Sequence, residues 1–542
     1  MIGGKQMFYF RTESIRNEDI KKIFVSTDLE NRIIQALKFQ NPTILEGSRG
    51  TGKTFLLRMA QIELNENYNI DKILPIYLSL SRTTLIQTND PNQFTNWMMA
   101  KICKELYRQL AYKGLLVENI PITKLLFRNN LTTESLESKF DNITQAYESS
   151  YRRQAKNIDD SVISEIPEIE DFLELIEQIC NFYDIQRICF LFDEAIHMFR
   201  PQQQRDFFSL FRKLRTPYID CNAAVYPGVT SFGDSFEISH DANLISLERN
   251  IKDSDYLHTM QEIVYKQADE EKIKKIEEQK GNFKILAYSA SGNPRMLLKT
   301  LERCNNLRWE TIITVIKDFY ITEIWSEHSA LGERYTGHTE IVDWGRNFIE
   351  EKVIPSTQDK NNRRIRDTKS TCYFWIHRDV PEVVKESLRL LEYTGIVRKN
   401  GERIRATGSN IGTRYEIKLG CILALEKSNK ISNQIIDYLD NYLFTEYSRN
   451  NNAFSNLPNP ISVEPDSEIR VIINNLLRKS INDLSLTNWQ KEKLIENGFN
   501  TINDVLNVSE QELMEQIYRV GEVKARRIQN AAIAEILEYL SG

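Results

Sequence analysis

At 542 residues the chain exceeds what one core can organise, and three or four domains are expected, each burying its own apolar interior. Its 41% hydrophobic and 27% charged content excludes a disordered or membrane-embedded chain, and no apolar run approaches the roughly 18 to 20 residues that cross a bilayer. The formal net charge of −6 speaks against a nucleic-acid partner as an average, but the average hides a basic segment. From Arg363 to Lys418 there are 13 Lys and Arg against 7 Asp and Glu, a local +6. The start, MIGGKQMFYFRTESIRNED, lacks a long uncharged core and a cleavage site, which reads as a cytoplasmic protein. Seven cysteines without a Cys-x-x-Cys pair read as reduced core thiols, and the six dispersed histidines show no zinc-ligand spacing.

In chain order, Thr43-Ile44-Leu45-Glu46 is a short apolar run that leads through a Gly-rich turn into FLLRMAQIEL, apolar at helical spacing: strand, loop, helix. A second strand is expected over Ile73 to Ser81, then a mostly helical stretch from Asn92 to about Ile179 whose later part is polar and reads as an exposed insertion. Buried strands follow at Arg187 to Phe192, Ala223 to Tyr226 and Leu244 to Leu247, an alternation that predicts an α/β domain with a largely parallel sheet over residues 1–252. The helical insertion spans about 95–180. Residues 253–330 turn helical and read as a small lid, with the loop Ser291-Gly292-Asn293-Pro294-Arg295 opening the helix MLLKTLERC. Residues 331–430, with the helix PEVVKESLRLLEYTG and the hairpin-like GERIRATGSNIGTRYEIKL, suggest a winged helix. A polar linker is expected over 431–466, and a small all-α block over 467–542.

GSRGTGKT fits G-x-x-x-x-G-K-[ST] between a strand and a helix, the context a phosphate-binding loop needs. Gly47, Ser48, Arg49, Gly50, Thr51 and Gly52 form the turn. Gly47 and Gly52 allow the backbone close to phosphate oxygens, while exposed N–H groups and the helix N-terminus attract negative charge. Lys53 is expected to reach the β- and γ-phosphates of ATP, and the Thr54 hydroxyl to ligate Mg2+. Asp193 and Glu194 end an apolar strand at the sheet edge where that loop opens. Alone they would be an ordinary acidic strand end; beside the loop, Asp193 is the expected magnesium partner and Glu194 the group that polarises the attacking water.

The two motifs lie roughly 140 residues apart, the surplus being the helical insertion. Together with Gly292-Asn293-Pro294-Arg295 they resemble the AAA+ superfamily and, in particular, the ORC/Cdc6-like ATPases of bacteria. The segments FRTESI, NPTILEGSRGTGKTFLLR and RTTLIQTNDPNQFTNWM carry that likeness, which covers about residues 8 to 430. The resemblance implies a P-loop AAA+ core with a helical lid and a winged helix. It also implies a lid arginine, here Arg295, that approaches the γ-phosphate, and a polar residue after the next strand, Thr230 or Ser231, that orients water. AAA+ proteins usually place an arginine finger after that strand, yet no arginine lies between Tyr226 and Leu247. Arg212, Arg215 and Arg249 remain as candidates, and STAND-type signalling ATPases, which resemble this architecture and often lack that finger, stay in contention.

The basic residues of the winged-helix region fall in two places, Arg363, Arg364, Arg366 and Lys369 before it and Arg398, Lys399, Arg403, Arg405 and Arg414 along the ribbon. Such a ribbon suits a wing against a DNA backbone; a solvated hairpin using charge to block edge pairing is the plainer reading. From Ser485 onward the chain resembles a helix-hairpin-helix module. There Val520-Gly521-Glu522-Val523-Lys524-Ala525 matches half of the hairpin, Arg519 replaces the usual first glycine, and Lys524, Arg526 and Arg527 would face DNA if the module binds it. The partners expected are therefore double-stranded DNA and a protein effector or further copies of the chain. Mobile-element or anti-phage roles enter only by analogy to such relatives.

Overall fold

The computed structural model describes residues 8–80, 91–115, 142, 144–145, 166–194, 201–233, 235–334, 336–459 and 468–540. The segment RTTLIQTND and most of the polar insertion lie outside them. Two compact units result, one running to Glu248 and including Glu262–Gln267, the other formed by Arg249–Gln261 and the chain from Ala268 onward.

The first unit is built on five strands, β1 (Thr43–Glu46), β2 (Ile73–Ser79), β3 (Arg187–Asp193), β4 (Ile219–Val225) and β5 (Asn243–Ser246). All pair in parallel in the order β2-β3-β4-β1-β5. Every residue of β3 and β4 is buried, as expected of central parallel strands covered on both faces by helices. Pro75 is tolerated because β2 is an edge strand. One face carries the helices Asp28–Lys38 and Lys53–Glu66, with Ile33, Leu37, Leu56, Leu57 and Leu64 packed on Leu45 and Leu191. The other carries Pro91–Tyr112, Ile169–Tyr183 and Pro201–Lys213. There Phe190 and Phe192 meet Phe207, Phe208, Phe211 and Phe236 in a chain of ring contacts. All seven cysteines are buried, and burial pushes the thiols of Cys103, Cys180 and Cys421 up to about 12.

At the N-terminal ends of β3 and β4, away from the phosphate loop, a polar cluster is sealed inside the sheet. Asn222 accepts from the Thr43 N–H at 3.1 Å and donates to the Leu37 carbonyl and to Asp220. Asp220 is 1% exposed, and burial pushes its carboxyl up to about 6 from the ordinary 3.8. The folded chain holds that proton more tightly than the unfolded chain, so stability is lost as pH rises from about 4 to about 6. Asp220→Asn is expected to remove this loss, worth up to about 3 kcal/mol, and to raise the melting temperature at neutral pH while leaving it little changed in acid. Parallel melting-versus-pH curves for wild type and variant would overturn this.

In the second unit the loop of residues 291–295 opens a helix: Asn293 caps helix Pro294–Arg303 by accepting from the Met296 N–H, and proline takes the first turn. Further on, the helix and hairpin read from the sequence appear as Glu382–Tyr393 and as β7 (Val397–Arg405) with β8 (Ile411–Ile417). Two further strands complete that sheet, β6 (Tyr373–His377), antiparallel to β8, and β9 (Phe444–Tyr447), parallel to β6. The stretch taken as a linker from 431 is thus structured to 459. Helix Asn429–Asp437 buries Ile435 and Ile436, and β9 supplies a sheet edge.

The C-terminal block has its own core of Ile481, Leu494, Phe499, Ile502, Leu513 and Ile528, and three of its short helices begin with capping boxes at Thr487, Thr501 and Ser509. Its last helix, Glu522–Leu540, docks beside helix Glu382–Tyr393. Asn530 donates to the Val380 carbonyl and accepts from the Glu382 N–H, and Arg527 pairs with the nearly buried Asp379 at 2.8 Å. The residues offered above as DNA-facing are therefore engaged within the chain. Arg526 pairs with Glu510, and Lys524 lies over the Trp489 ring and donates to the Arg519 carbonyl. Arg519 holds φ 65°, the left-handed conformation that the usual glycine adopts without strain.

Candidate nucleotide site

The phosphate loop turns from β1 into helix Lys53–Glu66 through Gly50 (φ 87°) and Gly52 (φ 109°), conformations that β-carbon sterics disfavour elsewhere. The Gly47 N–H donates to the Val225 carbonyl of β4 at 3.3 Å, the Ser48 N–H to the Glu248 carboxylate at 3.0 Å, and the Thr51 hydroxyl to the Ser48 carbonyl at 2.9 Å. Lys53, 6% exposed, donates to the Gly47 and Ser48 carbonyls and stands 3.9 Å from the centroid of the Tyr226 ring.

Because β4 separates β1 from β3, the ends of β3 and β4 open beside the loop. Asp193, 2% exposed, accepts from the Tyr77 hydroxyl at 2.6 Å, and the Thr54 side chain lies near it. Burial raises its carboxyl, and the Tyr77 and Thr54 side chains and the Lys53 charge oppose the rise. Glu194 follows in the left-handed conformation at φ 56°, turning its side chain off the strand. Burial first, then Asp193 and Glu13, push its carboxyl up, and Arg49 and Lys53 offset part of this. Thr54 and Asp193 are neighbouring oxygen donors, a hard set suited to Mg2+ held jointly with phosphates. Among the described residues no group of three His, Cys, Asp or Glu could hold a metal by itself, and no helix is long and apolar enough to cross a membrane.

The structure thus brings Gly47 to Thr54, Asp193 and Glu194 together at one sheet edge. Arg295 lies half-buried in the first turn of helix Pro294–Arg303, in the other unit. Thr230, offered as a water-orienting group, donates back to the Tyr226 carbonyl at 2.7 Å, and the Ser231 N–H donates to Gln204. The residue that meets Lys53 after β4 is Tyr226 itself. Three partners escaped the sequence: Tyr77, Tyr226 and Glu248. The only trace of Tyr77 was a hydroxyl inside the otherwise apolar ILPIYL. Of the finger candidates, Arg212 is exposed in the last turn of helix Pro201–Lys213 and Arg215 just beyond it, whereas Arg249 donates to the Gly292 carbonyl.

A parallel five-stranded sheet in this order, with a phosphate loop after β1 and an acidic pair at the end of β3, defines a P-loop core of the AAA+ class. The sequence model described as ORC-CDC6-like matches residues 7–329, more than half of the chain, and the chain belongs to that family. Among solved structures it is similar to the Aeropyrum pernix ORC2 protein (ADPNP-ADP complexes), at 10% identity over 79% of this chain and 96% of that one, TM-score 0.33. It is also similar to the Aeropyrum pernix ORC1 protein in complex with DNA, at 12% identity over 78% and 96%, TM-score 0.31. No curated protein matches the chain.

Proposed function

We propose that this protein binds and hydrolyses ATP with Mg2+ and that nucleotide occupancy governs its grip on double-stranded DNA. The observation that carries the first part is a buried Lys53 held by the Gly47 and Ser48 carbonyls at the strand end where the Asp193 carboxylate is bonded by Tyr77, an arrangement suited to a metal-bound triphosphate. Lys53 leaves the Gly47 and Ser48 carbonyls for phosphate oxygens, Thr54 and Asp193 hold the metal, and Glu194 orients the attacking water. Bound magnesium neutralises charge on the β- and γ-phosphate oxygens. The resemblance assigns Arg295 the role of sensing the γ-phosphate, by which ATP and ADP would differ in what they hold.

For DNA, the ribbon sorts into two sets. Arg398 pairs with the 2%-exposed Glu416 at 2.5 Å, and Arg414 donates to Asn400 and to the Asn441 carbonyl over the Tyr373 ring, so these two brace the sheet. Lys399, Arg403 and Arg405 are exposed, the last two near the hairpin tip, and they suit phosphate contact. With Arg403 and Arg405 both changed to alanine, the slope of log K against log[salt] for duplex DNA is expected to shrink by about 2, near 0.9 per lost phosphate contact. An unchanged slope, or DNA affinity indifferent to ATP, removes the DNA arm.

The second reading is a signalling switch that assembles on a protein partner. It is favoured by the arginine-free stretch between Tyr226 and Leu247 and by the intramolecular pairing of Arg526 and Arg527. Assembly with ATP in the absence of DNA, read by sedimentation, would select it.

A further inference from the structure

We propose that Tyr77 is a positioning residue for magnesium: its hydroxyl fixes the rotation of the Asp193 carboxylate so that the remaining oxygen lone pairs face the metal position beside Thr54. This rests on the ATP and magnesium reading above.

The placement follows from strand register. In the parallel pair β2 and β3, Tyr77 lies beside Leu191, and Asp193 is two residues further on and on the same face, since side chains alternate along a strand. A phenol ring leaning along the strand spans that step, and the hydroxyl reaches Asp193 Oδ2 at 2.6 Å. The Arg58 guanidinium lies over the ring, 5.3 Å from its centroid. Arg58 projects from the helix that begins at Lys53, so the element presenting Lys53 and Thr54 also clamps the tyrosine. Phenylalanine would serve the packing equally well at this position, because the ring lies against the apolar cluster of Leu57 and Leu191 on its face of the sheet. A buried hydroxyl is costly unless bonded, and here its bond is to the acidic residue of the site.

A carboxylate offers about four acceptor directions. Tyr77 takes one of them from the neighbouring strand, which favours one orientation of the Asp193 carboxylate over the other rotamers. The metal-facing lone pairs are thereby presented before the cation arrives, and no ordering is needed when it binds.

The test uses the whole chain, a fluorescent non-hydrolysable ATP analogue, and titration with Mg2+ or with EDTA. In Tyr77→Phe the Mg2+ concentration for half-maximal tight binding is expected to rise about tenfold, the worth of one hydrogen bond to a charged group, while affinity in EDTA is unchanged. In an Asp193→Asn background, adding Tyr77→Phe is expected to change the Mg2+ requirement no further, since the two act as a unit. An unchanged Mg2+ requirement overturns the proposal, as does an equal loss with and without Mg2+, or additivity with Asp193→Asn. If wild type binds no nucleotide, the ATP reading itself falls, an outcome distinct from all of these.

Discussion

Lys53→Ala is expected to weaken ATP binding by about 100-fold, and Glu194→Gln to leave binding intact while slowing hydrolysis about 100- to 1,000-fold. The two effects separate because the residues act at different stages. Lys53 is a buried ammonium satisfied by two carbonyls and the Tyr226 ring. Its charge is kept dry and ready, and phosphate oxygens repay its burial better than neutral carbonyls do. Glu194 stands half-exposed after β3, turned off the strand by its positive φ, where it can address water without bearing the nucleotide's charge. Calorimetry for binding and phosphate release for turnover check both expectations. Wild-type affinity in Lys53→Ala, or wild-type turnover in Glu194→Gln, would count against the assigned roles.

Gly412→Ala is expected to destabilise the second unit by about 3 kcal/mol, a large effect for one methyl group. Gly412 pairs with His377 between β8 and β6, and a Cβ there would lie 2.1 Å from the Ile376 carbonyl oxygen and 2.5 Å from the Trp375 ring. Neither neighbour can yield cheaply. The carbonyl belongs to the strand, and the indole is 1% exposed and anchored by its own N–H to the Ile404 carbonyl at 3.0 Å. Urea unfolding followed by tryptophan fluorescence would report the change; a shift below about 0.5 kcal/mol would mean that the hairpin relaxes more freely than its packing suggests.

The nucleotide site was legible because its parts are local in sequence: a glycine-rich turn between strand and helix, and carboxylates ending an apolar run. What was not legible depends on pairing between distant segments. The identity of the residue meeting Lys53 followed from where β4 ends against the loop, so Tyr226 was passed over for hydroxyls further on. Tyr77 acquires meaning only through its register with β3. Likewise, counting charges along the ribbon could not tell Arg398 and Arg414, turned inward to Glu416 and Asn400, from Arg403 and Arg405, which face solvent. The short aromatic run of β6 was missed because it is bulky and buried from Tyr373 to Ile376, without the alternation that marks a half-buried strand, and β9 because its four residues lie in a polar setting and are specified by their partner.

The late arrival of β9 has a consequence for how the molecule comes into being. β6 is flanked by β8 on one side and by β9 on the other, and β9 is the last strand among the described residues to leave the ribosome. Until residues 444–447 emerge, the outer edge of β6 presents bare N–H and C=O groups beside the aromatic side chains of Tyr373, Phe374 and Trp375, a surface that recruits strands from other molecules. A nascent or truncated chain ending near residue 430 carries that open edge, and aggregation rather than simple loss of stability is its characteristic failure. Fragments intended to fold alone should therefore extend through Phe454, whose ring packs against Tyr447 behind the closing strand.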